Sequence, residues 1–357
     1  MVNANSLRKK MYLASSQKKI MFIVLSAILT IIVSIYYLKV GFYSTTISDI
    51  FEIISAHFSG GEVDYQADLI VWGKRIPRAV MAIFCGAGLA VGGAVIQTVL
   101  RNPLTDSYTT GISSGAFLGA TLFIILDISL IPVARNLSIV FNAFLFSLIP
   151  VAAILAVSGR KRVTASRLIL TGIAVMYLFS ATSTLLMVSA DHESLSEAYS
   201  WRIGTLANTD WVSIPIVVTV TIICLLFLLS RAQEYNIVSA GDKVAQSLGV
   251  NSKRVTVVAL VVVAFMTATS VGFTGTIGFV GLVGPHIARI FIGSDCRYLI
   301  PASAFIGALF LLTMDAIAKV SGDLGLPVGV MSALIGAPLF VMILVKNKKT
   351  AWDIKAT

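Results

Sequence analysis

Gly275-Thr-Ile-Gly278-Phe-Val-Gly281-Leu-Val-Gly284-Pro285-His286-Ile-Ala-Arg289 places a glycine at every third position of an apolar run and closes it with a proline, a histidine and an arginine. Glycine disfavours a helix interior by about 1 kcal/mol against alanine, so such a run implies close backbone packing or irregular backbone. In a bilayer, irregular backbone is tolerated only against protein or a water-filled cavity. The stretch is therefore expected inside a helix bundle, beside a path for solute, and not facing lipid.

Working outward, 57% of the 357 residues are hydrophobic and 12% charged, and the mean hydropathy is +0.91. These values fall far outside the soluble range and define an all-α integral membrane protein. With about 20 residues per span, apolar runs fall near 20–38, 77–99, 109–127, 137–157, 167–190, 211–230, 255–273, 274–292, 301–319 and 328–345. Ten transmembrane helices put both ends on one side. The first run follows Arg8, Lys9, Lys10, Lys18 and Lys19, is too long for a signal-peptide core and lacks a small-x-small cleavage site, so it reads as a retained span. The organisation expected is a tail over 1–19, a ten-helix domain over 20–345 and a second tail over 346–357.

Charge orients the spans. With the N-terminus inside, only Lys39, Lys74, Arg75, Arg78, Arg135, Arg202 and Lys319 of the 27 basic residues fall outside, together with most of the acids, including Asp49, Glu52, Glu62, Asp64, Asp68, Asp191, Glu193, Glu197 and Asp210. The inner set includes Arg101, Arg160, Lys161, Arg162, Lys243, Lys253, Arg254 and Lys348. Both termini are thus expected in the cytoplasm. The +10 net charge is a topology signal and gives no argument for nucleic acid.

Chemistry-bearing residues are few. Cys85, Cys224 and Cys296 show no Cys-x-x-Cys spacing, and His57, His192 and His286 are scattered with no ligand partner at metal spacing, so no metal and no cofactor are expected. Asp315 and Lys319, four apart near the outer end of the ninth span, read as a structural ion pair. So few charges inside the spans speak against a secondary transporter driven by protons or sodium. The one Gly-Lys pair, Gly73-Lys74, continues with Arg75 and forms no phosphate loop, so ATP hydrolysis would have to come from a partner. Gly88/Gly92, Gly111/Gly115 and Gly115/Gly119 read as helix-packing contacts.

Several ordered blocks carry a family resemblance. Arg75-Ile-Pro-Arg78, the Gly86-to-Ala94 block ending in Gln97, Arg101-Asn-Pro-Leu104 and Gly111-Ile-Ser-Ser-Gly-Ala116 precede Leu248-Gly-Val250, the Gly275-to-Arg289 string, Leu326-Pro-Val-Gly329 and Gly336-Ala-Pro-Leu-Phe340. Over roughly residues 70–345 the chain resembles the FecCD-type permeases of iron-siderophore, vitamin B12 and haem uptake, the membrane subunits of type II ABC importers. The resemblance implies a ten-helix subunit paired with a second copy, as a homodimer, around a central path. Two cytoplasmic ABC ATPase subunits would lie below and an extracytoplasmic solute-binding protein would dock from outside.

It further implies that residues 235–254 contact the ATPase, through Asp242, Leu248, Gly249 and Val250. Here Ala240-Gly241-Asp242 replaces the usual Leu-Gly-Glu. Read from its own residues, Asp242 to Leu248 is a short amphipathic helix stopped by Gly249. Arg75, Arg78 and Lys319 match outer positions that meet acids on the binding protein, although the chain is one residue shorter between Lys319 and Pro327 and Gly325 stands where Glu is usual. Ordinary interfacial anchoring is the competing reading of the two arginines. Gly275, Gly278, Gly281, Gly284, Pro285 and Pro327 are the expected path and gating residues. The implied function is a permease that is not itself an enzyme. Its solute would be a ferric siderophore, with cobalamin, haem or molybdate as alternatives and a cation-coupled secondary transporter as the reading from another class.

Overall fold

In a computed structural model, residues 4–41, 43–61, 64–131, 135–158, 165–322 and 325–346 are described. Arg160, Lys161, Arg162, Glu62 and the basic residues after Lys346, which entered the charge count, lie outside them. Helices account for all the regular structure among the described residues. They run α1 Ala4–Lys39, α2 Ile47–Ser59, α3 Tyr65–Ile70, α4 Ile76–Val99, α5 Ile112–Leu126, α6 Arg135–Ser158, α7 Ala165–Val188 and α8 His192–Ile203. The second half comprises α9 Ser213–Ser230, α10 Ala232–Ser239, α11 Asp242–Ser247, α12 Ser252–Thr274, α13 Val280–Ile292, α14 Cys296–Val320 and α15 Val328–Lys346.

Eight stretches are long and apolar enough to cross a membrane, and two further apolar helices, α5 and α13, are shorter. Together they realise the ten expected runs, with corrections at the edges. The run at 274–292 is no continuous helix: residues 275–279 are irregular and only α13 follows, because Gly275 adopts φ +69° and closes α12. The run at 109–127 shrinks to the 15 residues of α5. The first helix extends back to Ala4, well before the apolar run begins.

Two short elements between the first two spans escaped the hydropathy reading. α2 is opened by a Thr46 cap whose hydroxyl accepts from Asp49 N while the Asp49 carboxylate accepts from Thr46 N. α3 passes through a π-helical turn, Val71–Arg75, into α4, giving one apolar stretch from Tyr65 to Val99.

α4 is the centre of the bundle, and every residue from Cys85 to Val99 is buried. It is surrounded by α9, α12, α13 and α14, and small residues set how near the last two come. A Cβ added to Gly93 would sit 1.8 Å from Gly281 O, and one added to Gly86 would sit 2.4 Å from Gly307 O. At such separations only glycine fits, and the gain is dispersion contact between backbones, the form that packing takes where lipid competes equally for apolar side chains. α5, α6 and α7 form a second group, in which Gly119 lies against Asn142 O and Gly115 against Phe146 O. The Gly115/Gly119 repeat is therefore a packing surface, as its spacing suggested.

Candidate functional site

The predicted residues separate to the two ends of the bundle. At the end where α4 begins, Arg75 is 5% exposed. Its guanidinium donates to Leu38 O at 2.8 Å, Thr45 Oγ1 at 2.6 Å and Tyr43 O at 2.5 Å, holding the connection from α1 to α2. Arg78 makes a two-pronged pair with Asp315, Nε to Oδ2 and Nη2 to Oδ1, both at 2.8 Å. The Tyr37 hydroxyl donates to the same carboxylate. Asp315 is fully buried, so the triad ties α1, α4 and α14 together.

This corrects the expected Asp315–Lys319 pair. A planar guanidinium offers the carboxylate two parallel hydrogen bonds, where an ammonium one helical turn away offers a point charge. Lys319 Nζ lies instead over the Tyr37 ring, 3.4 Å from its centroid, as a cation–π contact. The charged ends of Arg75, Arg78 and Lys319 are thus turned into the bundle. Any docking role would act through the loop and helix geometry that they hold.

At the same end the structure brings Gly275 and Pro327 together. Thr205 N donates to Thr274 O at 2.8 Å, and Gly329 N, two residues after Pro327, donates to Gly204 O at 3.1 Å. The irregular residues 275–279, the end of α8 and the start of α15 therefore form one backbone knot. Gly278 lies against the Tyr108 ring of the buried loop between α4 and α5. Gly281 and Gly284, by contrast, belong to the packing of α13 on α4 and α14, and Pro285 is buried beside them. The glycine string thus does two jobs, irregular backbone first and close helix packing second.

Gln97 secures that packing from the side: its Nε2 donates to Gly281 O at 3.0 Å, and its Oε1 accepts from Arg289 Nη1. Sequence reading placed Gln97 and Arg289 only at the ends of their motifs. A polar residue inside an apolar helix was the one signal that could have paired them.

At the opposite end lie α10 and α11, the segment that the sequence reading assigned to the ATPase contact. α11 ends with Gly249 at φ +74°, Val250 N donating to Ala245 O at 2.8 Å and Gly249 N to Gln246 O at 3.1 Å. This is the double hydrogen-bond pattern of a left-handed helix stop, and it confirms the stop expected at Leu248-Gly249. Asn251 then caps α12 by accepting from Arg254 N. Leu248 is 60% exposed, an apolar side chain facing outward from a short helix. Asp242, at the first turn of α11, pairs with Arg101 just past the end of α4.

A cleft of about 400 Å³ opens between α10 and the start of α12, reaching the α11 stop at Gly249, with Tyr235, Val250, Asn251, Arg254 and Val255 in its lining. Behind it, Asn236 of α10 donates to Asp295, the cap of α14, and accepts from Cys296 N, both at 2.8 Å. Partial burial pushes the Asp295 carboxyl up. Hydrogen bonds from Arg297 and Asn236, with the Arg297 charge, more than offset this and hold it down at about 2. No cluster of three or more histidine, cysteine or acidic side chains at metal-binding separation occurs among the described residues.

The FecCD transport family model matches residues 28–346. A candidate ABC transporter permease of Methanocaldococcus jannaschii is 38% identical over 95% of this chain and 98% of its own. The cobalamin import system permease of Halobacterium salinarum is 37% identical over 79% of this chain and 75% of its own. Among solved structures, one reported as an inward-facing conformation of a candidate metal-chelate type ABC transporter superposes with a TM-score of 0.80 at 29% identity, covering 91% of this chain and 98% of that one.

Proposed function

The chain belongs to the FecCD transport family, and from that premise we propose that it is the permease of an ABC importer that carries a ferric siderophore across the cytoplasmic membrane. In this reading a second copy completes the path, two ATPase subunits sit against α10 and α11, and a solute-binding protein docks at the end where Arg75 and Arg78 hold the loops. The observation that carries the reading is the inner segment: a short helix between two positive-φ glycines, Gly241 and Gly249, with an exposed Leu248 and a cleft that reaches its stop. Such a helix presents a compact knob to a partner and can move without breaking a span. The metal-chelate type neighbour supports a chelated metal as cargo.

Uptake tests the proposal. Cells lacking this gene should lose accumulation of radiolabelled iron given as a ferric hydroxamate and should keep cobalamin, haemin and molybdate uptake. Deletion of the partner ATPase should give the same loss. Uptake that survives loss of the ATPase but collapses with the proton or sodium gradient would move the protein to the secondary-transporter class, and loss of cobalamin uptake alone would change the cargo. Orientation has its own test. With the native cysteines replaced by alanine, a cysteine at Ser194 should react with a membrane-impermeant reagent in intact cells and one at Ser252 should be shielded.

A further inference from the structure

α4 and α11 both end in the same left-handed stop, but with different residues at its critical position. In α11 that position is Gly249; in α4 it is Arg101, at φ +53°. The hydrogen bonds match: Asn102 N donates to Gln97 O at 3.1 Å and Arg101 N to Thr98 O at 3.3 Å, as Val250 and Gly249 do in α11. Positive φ disfavours residues with a Cβ, and the non-glycine residues that tolerate it best are Asn, Asp and His. Arginine has no such excuse. Something its side chain does must offset the conformation, and its guanidinium makes an ion pair with Asp242.

That ion pair is the only one, among the described residues, that joins α11 to a spanning helix. Its two partners differ in freedom. Asp242 follows Gly241 at φ +115° on a six-residue helix between two hinges. Arg101 continues from α4, whose last fifteen residues are buried and clamped to α13 by Gln97 and Gly93.

We propose that Arg101 is a positioning residue that transmits displacement of α11 to α4, its left-handed backbone aiming the guanidinium at Asp242. The inference rests on α11 being the ATPase contact. Motion of α11 then pulls the end of α4, and α4 carries α13 and α14 with it.

The test uses the full chain assembled with its ATPase in lipid nanodiscs, with the native cysteines replaced and nitroxides on exposed sites. One pair joins Val244 on α11 to Leu226 on α9, and a second joins Leu104, just beyond α4, to Leu226. In the unmodified background, adding ATP and vanadate should shift both distances. In Arg101→Gly, which relieves the left-handed residue, the melting temperature should hold or rise and the Val244 shift should persist, while most of the Leu104 shift is lost. The exchanged pair, Arg101→Asp with Asp242→Arg, should recover it. A full Leu104 shift in Arg101→Gly would overturn the proposal. So would a lower melting temperature in that variant with no recovery in the exchanged pair, which would make Arg101 a helix stop and nothing more. If Val244 itself does not move in the unmodified background, the ATPase-contact reading fails and takes this inference with it.

Discussion

The two ends of α4 are held by ion pairs of opposite character. At its start, Arg78 and Asp315 form a buried pair, with side chains 18% and 0% exposed, locked by two hydrogen bonds and a third from Tyr37. At its finish, Arg101 and Asp242 are 34% and 69% exposed and meet across a hinge. A buried pair resists separation because either partner alone would be a bare charge in apolar surroundings, whereas an exposed pair can open and let water take its place. One end of the molecule locks three spans together through a pair sealed from water, and the other joins α4 to a short helix through a pair that water reaches.

The largest effect expected from breaking this comparison comes from Asp315→Ala. It strands the Arg78 guanidinium and should cost about 3–5 kcal/mol, seen as a large drop in melting temperature of the detergent-solubilised protein. Arg78→Lys should cost less, because charge remains while the fork is lost. An Asp315→Ala variant as stable as the parent would mean that this end is not locked by its ion pair.

Next in size is Gly249→Val. A β-branched residue at φ +74° is disfavoured by about 1–2 kcal/mol, with the local penalty falling on the stop of α11. Insertion and overall melting should survive, while ATP hydrolysis and ferric hydroxamate uptake part company. If uptake per ATP hydrolysed is unchanged, the segment is only a solvated loop. Asp242→Asn should be smaller again in stability, within about 1 kcal/mol, which thermal melts can set directly beside the Asp315→Ala result.

A pH dependence is expected at the same end. Asp295 titrates at about 2 in the folded protein against an ordinary value of 3.8. Between those values the unfolded chain binds more protons than the folded one, so stability from this group is fully present above about pH 4 and is lost as pH falls toward 2. Melts of the parent and of Asp295→Asn should therefore converge on acidification through that window. Parallel curves would remove the Arg297 and Asn236 contacts from the account.

Much of this architecture was legible in the sequence. Hydropathy located the ten runs because burial in lipid demands long apolar segments, and Gly249 announced its stop because few residues tolerate positive φ. The Asp315–Lys319 pairing misled because four-residue spacing registers only neighbours on one helix. Arg78 lies 237 positions away from Asp315, and Tyr37 278. The helices α2 and α3 were missed since each alone is too short to register as a span. Thr46 and Asp49 were the available sign.

By itself, then, the sequence determined the class, the number of apolar runs, the family and the place of the α11 stop, all of which depend on local composition or on short ordered motifs. Only the tertiary structure decided that the 275–289 string is broken at its start and packed at its end, that Arg75 and Arg78 face inward, and that Arg101 reaches Asp242. These depend on which side chain arrives within hydrogen-bonding reach across helices far apart in the chain. Geometry over a few ångströms selects that partner, and spacing along the sequence does not encode it.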